Sequence, residues 1–247
     1  TARLVVPLLF DSVRAVRMQA AVQLAGLPSG LFKAYQREAI ETALDEYVDA
    51  MTYSLDFSFA GHNLGNLYAA LGDPEKAERY YKTAIEIDDL FYPAKVNLAM
   101  LLNAGGRNDE AERLLREVIE DYPEQYEVAY SLGLLLAEMN RYEEAVEFLT
   151  RAAVAMPERS RIVYNLGLIQ QHIGRMAEAG ANLARAVELE PDNYDYLFAL
   201  ADHYIKRNEP RRALPLARRM IALQPGNKLG HDLEAHIETM LGASGSR

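Results

Sequence analysis

HNLGNLY, residues 62–68, is a scrap of helix on its own, but the chain writes the phrase again at a fixed interval. Thirty-four residues on it reads VNLAMLL (96–102), then YSLGLLL (130–136), YNLGLIQ (164–170) and FALADHY (198–204). A constant period without insertions marks one structural unit stacked on copies of itself. With unit starts at Ser58, Tyr92, Tyr126, Ser160 and Tyr194, the eighth position holds Gly65, Ala99, Gly133, Gly167 and Ala201. The twentieth holds Ala77, Ala111, Ala145, Ala179 and Ala213, and the thirty-second Asp89, Pro123, Pro157, Pro191 and Pro225.

Each residue type has a physical reason to stand where it does. Small residues at positions eight and twenty let two helices approach closely, because interaxial distance follows side-chain size at the contact. The fifteenth position is Gly72, Gly106, Asn140, Gly174 and Asn208. These are the residue types that tolerate the left-handed conformation ending a helix. Pro74 and Pro210 follow two residues later, placed to open a second helix. The prolines at position thirty-two stop it. Between these marks apolar residues recur at three and four, as in Leu64, Leu67, Tyr68 and Leu71. Each unit therefore reads as helix, tight turn, helix and stop.

The period, the L-G-x-x-Y of Leu64, Gly65 and Tyr68, the alanine column and the prolines resemble the tetratricopeptide repeat family over residues 58–227. One departure is the absence of Trp: position four holds Gly61, Lys95, Ala129, Val163 and Leu197. The resemblance implies an all-α, right-handed α-solenoid of five helix-turn-helix repeats whose first helices line a concave groove.

Residues 1–57 are expected to form an N-terminal helical segment. Within it, 37–53 fits the second helix of a further unit, with Ala43, Tyr47 and Ala50 in phase, and GLPSGLFK replaces the first helix by a loop. Upstream, the spacing of Asp11, Val16, Arg17, Ala20, Ala21 and Leu24 resembles the second helix of a HEAT repeat; an amphipathic capping helix is the alternative. This arrangement is also similar to the C-terminal solenoid of some large bacterial multihaem cytochrome-like proteins, although no haem-binding residue is present to carry over. Residues 228–241 read as a C-terminal capping helix and 242–247 as a disordered tail.

Half of the 247 residues are hydrophobic, a quarter are charged, and the net charge is -10. So acidic a chain repels a phosphate backbone, and nucleic acid is not an expected partner. Absence of cysteine removes disulfides, thiolate metal sites and cysteine nucleophiles, and is compatible with cytoplasm or bacterial periplasm. The apolar start LVVPLLF is too short to span a bilayer and no small-residue cleavage site follows it, so neither membrane nor signal peptide is expected. The pattern opens in mid-phrase, which suggests a piece of something longer.

No catalytic constellation emerges. His62, His172, His203, His231 and His236 show no i, i+4 relation, there is no phosphate-binding glycine loop, and paired carboxylates such as Glu143 and Glu144 open second helices, where the positive helix end favours them. The expectation is a binding protein, not an enzyme, without metal or cofactor. By the family resemblance, position five of the groove presents His62, Val96, Tyr130, Tyr164 and Phe198. Position six gives Asn63, Asn97 and Asn165; position nine Asn66, Met100, Leu134, Leu168 and Asp202; position twelve Asn103 and Gln171.

An Asn carries a donor and an acceptor and can hold a peptide backbone at two points. This ladder is similar to that of repeat proteins that hold extended peptides, including the O-linked N-acetylglucosamine transferase superhelix. The alternative is that each Asn bonds within its own or a neighbouring hairpin, and that the aromatic row packs between first helices. The clamp by which some cochaperones hold a chaperone carboxylate is not matched: its positions carry His62, Asn66, Asn97, Glu127 and Ser131 here. The expected partner is an extended, largely uncharged peptide segment of another protein. A structural scaffold within a larger protein is the first rival. Self-association is the second, prompted by six basic and three acidic residues in 194–227 against four and seven in 92–125.

Overall fold

The computed structural model describes residues 2–244, and every regular element among them is helical. Thr1 and the end of the expected tail, 245–247, lie outside the described residues. The chain divides into two compact units, Thr1–Tyr122 and Pro123–Arg247.

In the first unit, α1 (Ala2–Val5) runs into a 3₁₀ turn, Val6–Phe10, and then α2 (Arg14–Leu24) and α3 (Ala34–Tyr53). Val5, Leu9, Ala20, Ala21, Leu24, Phe32, Ile40 and Ala43 form their shared core. The loop between α2 and α3 contains a 3₁₀ turn, Ser29–Leu31, and buries Phe32. α3 begins three residues before the expected start, with Gln36 Oε1 accepting from the Lys33 backbone N–H at 2.8 Å. Two hairpins follow: α4 (Ser58–Ala70) with α5 (Pro74–Ile87), and α6 (Tyr92–Ala104) with α7 (Asn108–Asp121).

The second unit holds three more: α8 (Tyr126–Glu138) with α9 (Tyr142–Ala155), α10 (Ser160–His172) with α11 (Met176–Leu189), and α12 (Tyr194–Lys206) with α13 (Pro210–Leu223). α14 (Lys228–Ser244) packs on α13 and buries Ile237 in the last core cluster. It runs three residues past the expected end, because Gly242 weakens a helix by only about 1 kcal/mol and no proline follows. The fold class is an all-α solenoid of helix-turn-helix repeats.

The turn between the helices of each hairpin is the same device five times. Gly72, Gly106, Asn140, Gly174 and Asn208 have φ of 75, 76, 62, 81 and 57°. The residue after each donates back five positions, as in Asp73 N to Tyr68 O at 2.9 Å and Arg175 N to Gln170 O at 2.8 Å. These bonds satisfy carbonyls that a helix end leaves bare. Inside each hairpin the five position-twenty alanines are 0 % exposed. At Gly65, Gly133 and Gly167 a Cβ would come within 2.4, 2.7 and 2.9 Å of Tyr81, Leu149 and Leu183. Position eight is small because the residue sixteen further on leans over it.

Candidate functional site

The first-helix residues form two separate sets, one in each unit. In the first unit, Asn97 Nδ2 reaches Asn66 Oδ1 at 2.7 Å and His62 Nε2 at 3.0 Å. Tyr81 O–H donates to Asn66 Oδ1 at 2.8 Å. An amide nitrogen can only donate, so Nε2 accepts and the ring proton of His62 sits on Nδ1. Burial pushes the His62 pKa below its ordinary value, against a smaller opposing effect of a bond with Asn63. Phe91 stands edge-on to the His62 ring at 5.5 Å. Asn63 Nδ2 lies 3.8 Å from the Met51 sulfur, and Asn103 Nδ2 bonds the Asn108 side chain at 3.1 Å. Val96 is half-buried, while Met100 is 62 % exposed.

In the second unit, Asn165 Nδ2 donates to the Tyr130 hydroxyl at 2.8 Å. The Tyr164 ring lies 4.5 Å from that of Tyr196 and packs against Val163 and Ala186. Burial raises the pKa of both Tyr130 and Tyr164. Leu168 packs partly under the same surface, Phe198 is half-buried, and Leu134 remains 36 % exposed. Gln171 is almost buried: its Oε1 meets His203 Nδ1 at 2.8 Å and its Nε2 donates to Asp202 Oδ2 at 3.0 Å. Lys206 Nζ holds the same Asp202 oxygen at 2.7 Å.

Asn97 and Asn165 thus bond within the protein, as one of the two sequence readings had it, and Tyr130 and Tyr164 are partly packed. The rings are half covered, and contacts within the protein fix their orientation. The basic last hairpin is internally neutralised to a large extent. Arg207 and Arg212 pair with Glu209, Arg218 with Glu234, Arg219 with Asp192, and Lys206 with Asp202.

Sequence reasoning passed over His203 as a member of this set. It is 0 % exposed, and its Nε2 has no partner. Its signal was legible as a pair of exceptions. Position ten is Leu67, Leu101, Leu135 and Ile169 before it becomes His203, and Gly180 interrupts the middle of α11. A helix-interior glycine costs stability and marks a close approach.

Among the described residues no three His, Asp or Glu side chains gather to hold a metal ion, and no helix is long and apolar enough to cross a membrane. What the two sets offer chemically is shape, apolar area and amide hydrogen bonds.

A tetratricopeptide repeat family model matches residues 68–135, 106–166 and 168–237. The chain belongs to the tetratricopeptide repeat family and is a protein-interaction module of that class. No curated protein matches the sequence. Among solved structures, YrrB, a tetratricopeptide repeat protein described as having an unusual peptide-binding site, is 20% identical with a TM-score of 0.65, over 78% of this chain and 97% of its own. MamA from Desulfovibrio magneticus RS-1, from residue 41 to its end, is 20% identical with a TM-score of 0.64, over 69% and 96%. MamA of AMB-1 is 24% identical with a TM-score of 0.61, over 71% and 96%. At these identities the likeness is one of fold.

Proposed function

We propose that the first-helix face of the second unit binds an extended, largely uncharged peptide segment of another protein. The observation that carries this reading is Leu134, exposed to 36 % one turn after the half-buried Tyr130 on α8, with Tyr164 and Leu168 half-buried at the matching positions of α10. A leucine with neighbouring aromatic rings is the kind of anchor at which interface energy concentrates. Asn165 supplies the polar part. One of its amide hydrogens goes to Tyr130, which leaves a second hydrogen and the carbonyl for a peptide backbone. The bond to Tyr130 also fixes the amide in advance, lowering the entropy cost of capture. YrrB, of similar fold, is described as having an unusual peptide-binding site, which supports peptide binding by a protein of this fold.

Selection from a displayed library of random peptides tests the reading. Apolar residues at alternate positions and few charges should be enriched, and Leu134→Asp should abolish the enrichment. Recovery of acidic or basic peptides that ignore Leu134→Asp would overturn it. A library that yields no binder at all would leave the face to structural scaffolding.

A further inference from the structure

The N-terminal part of the first unit carries an acidic face that the proposed peptide site does not use. Along α3, Tyr35, Glu38, Glu41, Asp45, Asp49 and Tyr53 follow one another at steps of three and four, and all are exposed. They therefore share one side of the helix. Glu38 to Asp49 spans roughly 16 Å at about 1.5 Å per residue. Like charges three and four apart destabilise a helix, and the sequence does nothing locally to relieve them. No Lys or Arg occurs between Arg37 and Lys76, a stretch with eight acidic residues. Arg37, one turn before Glu41, donates instead to the Phe32 carbonyl at 2.8 Å. Glu46, beside this face, is the carboxylate that Arg17 neutralises, with both oxygens at 3.2 Å.

Beside Glu38 the surface opens into a cleft of about 370 Å³. Phe10 and Tyr35 wall it, with ring centroids 5.9 Å apart and both residues more than half exposed. Leu9, Ala39 and Ala43 contribute apolar lining, Glu38 and Thr42 line it from α3, and the Arg17–Glu46 pair, neutral as a pair, closes it, which leaves the Glu38 carboxylate as its uncompensated charge. Aromatic faces with a carboxylate beside them suit a cation on an apolar stem: the ring quadrupole attracts the charge and the rings cover the methylenes.

We propose that this face docks a lysine- or arginine-bearing segment of another protein. One cationic side chain enters the cleft between Phe10 and Tyr35 toward Glu38. The following cations lie along Glu41, Asp45 and Asp49, where they relieve the repulsion built into the helix. The site is independent of the first-helix face of the second unit, and either can fail without the other.

The probe is a fluorescein-labelled peptide of repeated Lys-Leu pairs, titrated into the whole chain and followed by anisotropy, with the same peptide bearing Glu for each Lys as control. The lysine peptide should bind, less tightly as salt rises, and the glutamate peptide should not. Asp45→Asn with Asp49→Asn, and separately Glu38→Gln with Tyr35→Ala, should each weaken binding by about tenfold or more. An acidic chain attracts any polycation, so Glu143→Gln with Glu147→Gln on α9 removes equal charge elsewhere and should change little. Equal losses from the α3 and α9 variants, or none from either, would overturn the proposal. All these positions are exposed, and circular dichroism melts confirm that the variants remain folded. Dimerisation of the wild type by light scattering, abolished by Asp45→Asn with Asp49→Asn, would overturn a foreign partner in favour of a second copy.

Discussion

Gly180 and His203 fit each other: a Cβ built on Gly180 would lie 2.7 Å from His203 Nε2. The imidazole replaces the Leu or Ile of the other repeats, and the facing helix gives up a side chain to admit it. Gly180→Ala should therefore destabilise the second unit by about 1–3 kcal/mol, although Ala is the better helix former. In a His203→Ala background the same change should cost far less, since the space is then free. Denaturant melts of the four variants in a double-mutant cycle measure the coupling. Additive effects would show that the two do not share a space.

The same histidine makes stability depend on pH. Burial holds its pKa below the ordinary 6.5, with Arg207 adding to the effect and Glu209 and Asp202 opposing it. The native protein thus refuses a proton that the unfolded chain accepts. Stability from this group is complete above about pH 6.5 and is lost as pH falls below it, by at most about 1.4 kcal/mol per pH unit. His62 is shifted in the same direction by burial and adds to the slope. Melting temperature should fall on acidification from pH ~7 to ~5, and His203→Gln should flatten part of that fall. An identical profile for wild type and variant would remove His203 from the account.

The hairpins were legible in the sequence because packing in a repeat is written five times. The alanine column, the left-handed positions and the prolines each state one steric requirement, and α4 to α13 follow the period without drift. Residues before Arg37 have no second copy to compare, so the turn at Val6–Phe10 and the start of α3 at Ala34 were invisible. The candidate site was legible only as positions on a helix face. Whether Asn165 bonds to Tyr130 or stands free depends on a neighbour thirty-five residues away, and no local pattern fixes that. His203 and Gly180 were visible as two departures from the columns, but only the fold joins them.

Ala145 sits between α8 and α9, 0 % exposed, and its carbonyl is 3.3 Å from where a Gly133 Cβ would be. Ala145→Leu has no space to enter without separating the two helices. It should cost about 1–3 kcal/mol, read as a shift of the denaturation midpoint. An unchanged midpoint would show that the hairpin can spread at no cost.

The turn positions separate backbone strain from packing. Nothing lies within 4 Å of a Cβ built on Gly174, so a side chain there meets only the demand of φ 81°. Gly174→Val should destabilise by roughly 1–2 kcal/mol, because a β-branched residue is disfavoured at positive φ. Asn140 already holds φ 62°, and Asn140→Gly should be near neutral. Thermal melts that rank the two alike would contradict the left-handed cap.

Tyr164 and Leu134 are expected to part company when stability and peptide capture are measured together. Tyr164 packs on Tyr196 and on the Val163–Ala186 cluster, so Tyr164→Ala removes native contacts as well as a candidate anchor. It should lower stability by about 2–4 kcal/mol, in the range of large aromatic truncations discounted for partial exposure. It should also weaken a selected peptide by about 2 kcal/mol. Leu134 is more than one-third uncovered. Leu134→Ala should leave the melting temperature within a few degrees of wild type and still weaken the peptide by about 1–2 kcal/mol, since a peptide would complete its burial. Asn165→Ala belongs with Leu134: loss of one half-exposed bond to Tyr130 costs about 1 kcal/mol of stability, and a peptide amide left unpaired costs a similar amount of affinity. Isothermal titration with one selected peptide, run beside melts of the three variants, gives both quantities. If Leu134→Ala binds like wild type while Tyr164→Ala loses stability and affinity in proportion, the aromatic row is helix packing and the peptide lies elsewhere.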